Sequence, residues 1–168
     1  MEQLEEKIAD YLQQLSKLLD IPCGELALTI RDKHHYSPLK VRLTSSGKAE
    51  SFHFAVVRMP EDGVLQCPRD DGRFITYFSL IAFPGCCAFC ISTGVSVCSD
   101  YKRKGVNNLT NLLRLDLARL MGYSAVVATD VEANEPERRT LKRNGWSDVF
   151  TVTNRRTGNV VNISVKAV

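Results

Sequence analysis

Leucine and isoleucine recur at helical spacing at the start of the chain. Leu4, Ile8, Leu12, Leu15 and Leu19 share one face of residues 2–19, with Glu and Lys elsewhere, and that pattern predicts an amphipathic helix. Ile21-Pro22 stops it. The period then falls to two. ELALTIRD (25–32) predicts a strand; PLKVRLT (38–44) and SFHFAVVRM (51–59) predict two more around a turn at Ser45-Ser46-Gly47-Lys48. MPEDGVLQCPRDDG (59–72), crowded with Pro, Gly and Asp, predicts a loop. FITYFSLIAF (74–83) and CCAFCISTGVSV (86–97), hinged at Pro84-Gly85, predict an antiparallel pair apolar enough for both faces to be buried.

Helical spacing returns after Gly105. Leu109, Leu112, Leu113, Leu117 and Leu120 fall on one face, and Gly122 is a fitting C-terminal stop. SAVVATDV (124–131) predicts a short central strand. Pro136 suits the first turn of a further helix that closes on TLKRNGW (140–146). VFTVTNRRTGNVVNISVKAV (149–168) predicts a terminal β-hairpin turning between Asn154 and Asn159. Strand, helix and strand over 87–131 imply a parallel pair inside an otherwise antiparallel sheet. No repeat, linker or low-complexity segment interrupts this order.

A chain of 168 residues, 44% apolar and 24% charged, has the size and composition of one folded domain, 1–168. The acidic, helical N-terminus does not resemble a signal peptide, and no apolar run reaches the length of a membrane span, so the expected location is cytoplasmic. Charge is uneven. Residues 1–100 carry 10 Lys/Arg against 13 Asp/Glu, whereas residues 101–168 carry 12 against 6. The basic half fits a polyanionic ligand or a nucleic acid, or a merely solvated helix face. Nucleic acid ranks last because no recognised motif or aromatic interleaving accompanies the stripe from Lys102 to Arg143. Cys87 and Cys90 form one C-x-x-C, to which Cys98 and His53 are the conceivable partners. They lie in an apolar run without a second such pair, so buried, reduced thiols are expected and no metal.

The chemistry concentrates in YKRKGVNN (101–108). Three basic residues and Gly105 stand where a strand hands over to a helix. Free N–H groups and the positive end of the helix dipole make that junction an anion site, and the ligand it suggests is a pyrophosphate.

This run, with the elements that follow it, resembles the acetyl-coenzyme A loop of the GNAT superfamily of N-acetyltransferases. Lys102 falls on the family's Arg/Gln position, Gly105 on its first glycine and Asn107 on its last small residue. Met121-Gly-Tyr123, the strand 124–131, Asn134 and the corner Gly145-Trp146 follow in the family's order. The resemblance covers residues 87–168; residues 1–86 diverge from it and belong to the acceptor side. It implies a mixed, mostly antiparallel sheet with a central parallel pair flanked by helices, and acetyl-coenzyme A as co-substrate. It also implies direct attack by an amine acceptor, protein or small molecule.

By that resemblance the backbone of Val95 to Val97 holds the pantetheine arm. The segment Lys102, Arg103, Lys104, Gly105, Val106 and Asn107 cradles the pyrophosphate, and Asn134 touches the pantetheine from the opposite lip. Asn134 is equally well placed to cap a helix, and Lys102 and Lys104 to face solvent. The Asn107 amide either meets a phosphate or crowds the loop. Leu141 occupies the position of the family's acidic tyrosine, which leaves Tyr123, Tyr101, Cys98 or water to protonate the thiolate. The family's strand-borne base falls near Ile91, so Asp130 and Glu132 are the nearest acids, or ordinary strand-end charges. His34 and His35 read as an exposed loop. A GNAT fold that binds acyl-coenzyme A or a protein without turnover is the competing class, and a homodimer is conceivable.

Overall fold

The computed structural model describes residues 2–32, 35–38, 51–60, 73–83 and 85–168, with the side chains of 32 and 35–38 excepted. The elements run α1 (Glu2–Leu19), β1 (Leu26–Asp32), β2 (His35–Pro38), β3 (Ser51–Arg58), β4 (Phe74–Ala82), β5 (Phe89–Val97), α2 (Val106–Leu120), β6 (Ala125–Val131), α3 (Glu135–Arg143), β7 (Ser147–Thr153) and β8 (Val160–Ala167). The strands form one sheet in the order β2-β1-β3-β4-β5-β6-β8-β7. Among the described residues only β5 and β6 pair in parallel. The mixed sheet, its parallel pair and the terminal hairpin are as the sequence predicts. The predicted strand 38–44 and the turn after it lie, beyond Pro38, outside the described residues, as do His34, Cys67 and most of the predicted loop 59–72. His35 belongs to strand β2, opposite Asp32, and not to an exposed loop.

All three helices share one face of the sheet. Tyr11 and Leu15 of α1, Val106, Leu113, Leu117 and Ala118 of α2, and Leu141 of α3 join Leu28, Phe54, Phe78, Leu80 and Val126 in one core. On the opposite face a small cluster forms around Ala55, Val57 and Phe74, to which none of the helices contributes. The expectation that both faces of 74–97 are buried holds for β4, none of whose residues is exposed, and fails near the turn into β5. Phe83 and Phe89 are 44% and 41% exposed, because hydrophobicity alone does not say whether a second layer exists.

The face of α2 also differs from the leucine pattern. Leu112 is exposed, while Thr110, Asn111 and Arg114 are buried. These polar groups are built into hydrogen-bond chains. Thr110 Oγ1 donates to Val106 O at 2.9 Å and lies 3.4 Å from Tyr11 Oη and 3.3 Å from Thr76 Oγ1. Thr76 Oγ1 in turn donates to Ser96 O at 2.9 Å. The chain joins α1, α2, β4 and β5, and burial pushes the Tyr11 phenol up to about 12, so it stays protonated and acts as a hydroxyl.

Because α1 supplies fully buried Leu15, Leu15→Ala should lower stability by about 2–5 kcal/mol through lost packing and a residual cavity. Urea unfolding checks this. An unchanged midpoint would show that α1 does not belong to the core.

Candidate functional site: a cleft between parted parallel strands

β5 and β6 stay together over four residues only, from Phe89 opposite Ala125 to Ser92 opposite Ala128. Past that point β5 holds an extra residue. Ser79 pairs with Thr93 and Tyr77 with Ser96, so Gly94 and Val95 both stand opposite Phe78. Gly94 has φ +65°, a left-handed angle that glycine adopts without a Cβ clash and that marks a β-bulge. β6 meanwhile keeps its pairing with β8 as far as Val131. The two strands part, and their carboxyl ends open a cleft of about 520 Å³. Such ends are where sheets with parallel strands hold ligands.

Val95, Ser96 and Val97 form one wall of the cleft. Lys102, Arg103, Gly105, Val106 and Asn107 form its head, and Asn134 stands on the far lip. Eight of the nine predicted cofactor-binding residues thus meet in one place. Lys104 is the exception: its Nζ lies over the Tyr101 ring, 5.8 Å from the centroid, where the ring quadrupole attracts it. Pro136, Glu137, Thr140 and Arg143 also line the cleft and are not among the cofactor-binding residues expected from the sequence. Stepping by three along a helix from Asn134 reaches Glu137, Thr140 and Arg143, and that spacing could have found them.

Arg103 and Gly105 take φ of +62° and +87°, which turns the chain sharply into α2. No side chain caps this helix. The N–H groups of Val106 and Asn107, in its first turn, have no preceding carbonyl to bond. Lys102, Arg103 and Arg143 form no ion pair among the described residues. A Cβ at Gly105 would meet Leu18 of α1 at 3.7 Å, so the glycine is required by its backbone angle, and its missing side chain leaves room toward α1.

Asn107 resolves differently from either expectation. Its Nδ2 donates to Glu137 Oε2 at 2.8 Å and to Thr140 Oγ1 at 3.3 Å, tying α2 to α3. Beneath it Arg114, 1% exposed, donates to Glu137 Oε1 at 3.2 Å, to Asn111 Oδ1 at 2.9 Å and to Ser92 Oγ at 3.3 Å. Its guanidinium also lies 5.3 Å from the centroid of the Trp146 ring. Burial lowers the Arg114 pKa and the facing Glu137 carboxylate raises it. Glu137 is the acid on the cleft wall, and the buried cation below balances it. Asn134 makes no side-chain capping bond to α3.

The catalytic assignments from sequence do not meet there. Tyr123 is buried at the amino end of β6, its N–H bonded to Ala118 O. The seven residues of β6 separate it from the cleft by roughly 20 Å. Glu132 is exposed, with its backbone bonded to Val160 and its carbonyl accepting from Arg138 at 3.4 Å, and it is not on the cleft wall. Asp130 is buried and accepts the Asn162 amide at 2.9 Å; desolvation pushes its carboxyl above the usual range. Leu141 points into the core. Tyr101 is the phenol that lines the cleft.

Of the five cysteines among the described residues, only Cys90 is buried, and desolvation raises its thiol to about 12. Cys23 and Cys87 are exposed, so the expectation of buried thiols holds for one position alone. No group of three or more His, Cys, Asp or Glu with metal-binding placement occurs among the described residues. None of the described helices is long and apolar enough to cross a membrane.

No family model and no curated protein matches the chain. Solved structures do. An acetyltransferase of the GNAT family from Desulfovibrio desulfuricans matches with a TM-score of 0.55 and 16% identity over 68% of each chain. Spermidine N-acetyltransferase from Vibrio cholerae, solved with CoA and spermine, matches with a TM-score of 0.54 and 11% identity, over 70% of this chain and 65% of its own. The spermidine/spermine N-acetyltransferase SpeG of the same organism, solved with manganese ions, matches with a TM-score of 0.60 and 9% identity, over 86% and 93%. The chain has the fold of the GNAT acetyltransferases, and at these identities the likeness is one of fold.

Two predictions test the buried charged groups. Glu137→Ala should cost about 3–5 kcal/mol in urea unfolding because it strands the buried Arg114 charge. Adding Arg114→Leu should recover much of that loss; a cost unchanged by the second substitution would sink the pairing argument. Asp130 has a raised folded pKa, so its ionised form is disfavoured in the fold, and stability is lost as pH rises through that pKa. Asp130→Asn should therefore be more stable than the natural protein at neutral pH, with the gap closing on acidification. A gap that widens toward acid pH would contradict this sign.

Proposed function

We propose that this protein is an acetyl-coenzyme A-dependent N-acetyltransferase acting on an amine acceptor. The observation that carries the reading is the parted β5–β6 pair with an uncapped helix N-terminus at its head. A long, thin substrate with an anionic end fits that arrangement. Free N–H groups of the α2 first turn, with Lys102 and Arg103, would bind the pyrophosphate. The backbone of Val95 to Val97, which has lost β6 as a partner, would take the hydrogen bonds of the pantetheine arm, and the Asn134 amide would meet the arm from the other side.

Catalysis would come chiefly from positioning. Held beside the bulge, the thioester presents its carbonyl to an incoming amine as an effectively intramolecular neighbour. A backbone N–H at the bulge would stabilise the oxyanion. The amine nitrogen forms the new N–C bond, the C–S bond breaks, and sulfur leaves with the electron pair as a thiolate, a good leaving group. Tyr123 has no part in this mechanism, being at the other end of β6.

Calorimetry tests the assignment directly. Coenzyme A should bind the natural protein. Lys102→Ala combined with Arg103→Ala should weaken it at least about tenfold at low salt, with the loss shrinking as salt rises. Absence of binding, or an affinity untouched by the double substitution, would remove the cleft from consideration as a coenzyme A site.

A further inference from the structure

The sheet face away from the helices carries a pair that the cleft chemistry leaves unused. His53 of β3 pairs with Ser79 of β4, and Ser79 with Thr93 of β5, so three polar side chains stand in a row across three strands. His53 Nδ1 lies 2.7 Å from Ser79 Oγ. His53 is exposed and Ser79 half-buried. By strand alternation Tyr77 and Arg31 are the other titratable groups that β4 and β1 set on this face.

The position of the pair along the sheet gives it meaning. Ser79 flanks the register shift, opposite the bulge of β5. A Cβ at Gly94 would stand 3.9 Å from Ser79 Oγ, so the glycine of the bulge leaves space beside the pair. One step along β5, at Ser92, is the last contact with β6. The same few residues of β5 border the cleft on one edge and the His53–Ser79 pair on the other. None of the helices covers the approach among the described residues.

We infer that His53 is the base that deprotonates the acceptor amine, and that the acceptor arrives over the sheet face away from the helices. The inference rests on the acetyltransferase reading. Ser79 accepts a hydrogen bond from Nδ1–H, which fixes the ring and leaves the lone pair on Nε2. Nε2 takes a proton from the acceptor's ammonium. The freed nitrogen pair forms the N–C bond to the thioester carbonyl carbon, and the C–S bond breaks. The new amide nitrogen gives its surplus proton to the departing thiolate, which becomes the free thiol. His53 returns its own proton to solvent. Atoms and charge balance without a further reactant.

The experiment uses the full chain, with acetyl-coenzyme A affinity by calorimetry and steady-state acetylation of two probes: spermidine and a peptide with a free N-terminal alanine. His53→Gln should bind acetyl-coenzyme A within about twofold of the natural protein and lose about a hundredfold or more in kcat/KM, the usual worth of a positioned base. Ser79→Ala, which only loosens the ring, should lose less. Added imidazole should restore part of the activity of His53→Ala and do nothing for the natural protein. Failure of the natural protein to bind acetyl-coenzyme A would sink the acetyltransferase reading itself. With binding intact, natural turnover in His53→Gln overturns the assignment of the base. So does the absence of turnover of both probes by the natural protein.

Discussion

An extra residue in β5 governs the geometry of this molecule. A strand with a bulge cannot stay in register with neighbours on both sides. Here the pairing with β4 resumes at Ser96 and Val97, while the pairing with β6 ends at Ser92. Backbone groups that would have closed the sheet face a gap instead. Unpaired backbone polar groups are costly when dry, so the gap is either wet or filled by a ligand with its own donors and acceptors. The left-handed backbone at Gly94 is what glycine adopts without strain; a Cβ there would stand in ordinary contact with Ser79, so the backbone angle and not crowding calls for glycine.

Holding the gap open requires rigidity beneath it, and the chain builds that from polar groups. Arg114 reaches Glu137, Asn111 and Ser92 together, which fixes α3 against α2 and both against β5. Burying a guanidinium is expensive by itself, and a well-packed apolar side chain would often be as stable. The return is positional: Glu137 faces the cleft with its charge balanced, so an anionic ligand does not meet an uncompensated carboxylate. The hydroxyl chain from Tyr11 through Thr110 and Thr76 to the Ser96 carbonyl braces the bulge from the other side. Asn111 Nδ2 and Trp146 Nε1 are buried without partners among the described residues beside this floor, places where an ordered water would be at home.

The two faces of the sheet then divide the work. The helical face and the cleft carry the cationic loop of Lys102 and Arg103, which the proposed function assigns to a phosphate-bearing substrate. The face away from the helices carries Ser79 beside the bulge and His53 hydrogen-bonded to it. Under the proposed function, a donor in the cleft and an amine arriving at the other face would approach from different directions.

Much of the order of elements could be read from the chain, because burial on one face imposes a period of two or 3.6 wherever it acts. The periodicity of Leu4 to Leu19, the run 124–131 and the terminal hairpin all appear where expected. The head of the cleft was legible as well: Gly105 and its basic neighbours are local features, and a helix start carries its own electrostatics whatever surrounds it. What the tertiary structure alone decided are relations between segments far apart in the chain. The burial of Arg114 depends on Glu137, and the partner of Asn107 lies on α3. Tyr123 precedes β6 in the chain and so stands at that strand's amino end, away from the cleft at the carboxyl ends; the order of residues already carried that constraint. His53 was passed over because Ser79 lies 26 positions away and meets it only through strand register. Periodicity records whether a side chain is buried; it does not record against what, and catalytic chemistry depends on the second.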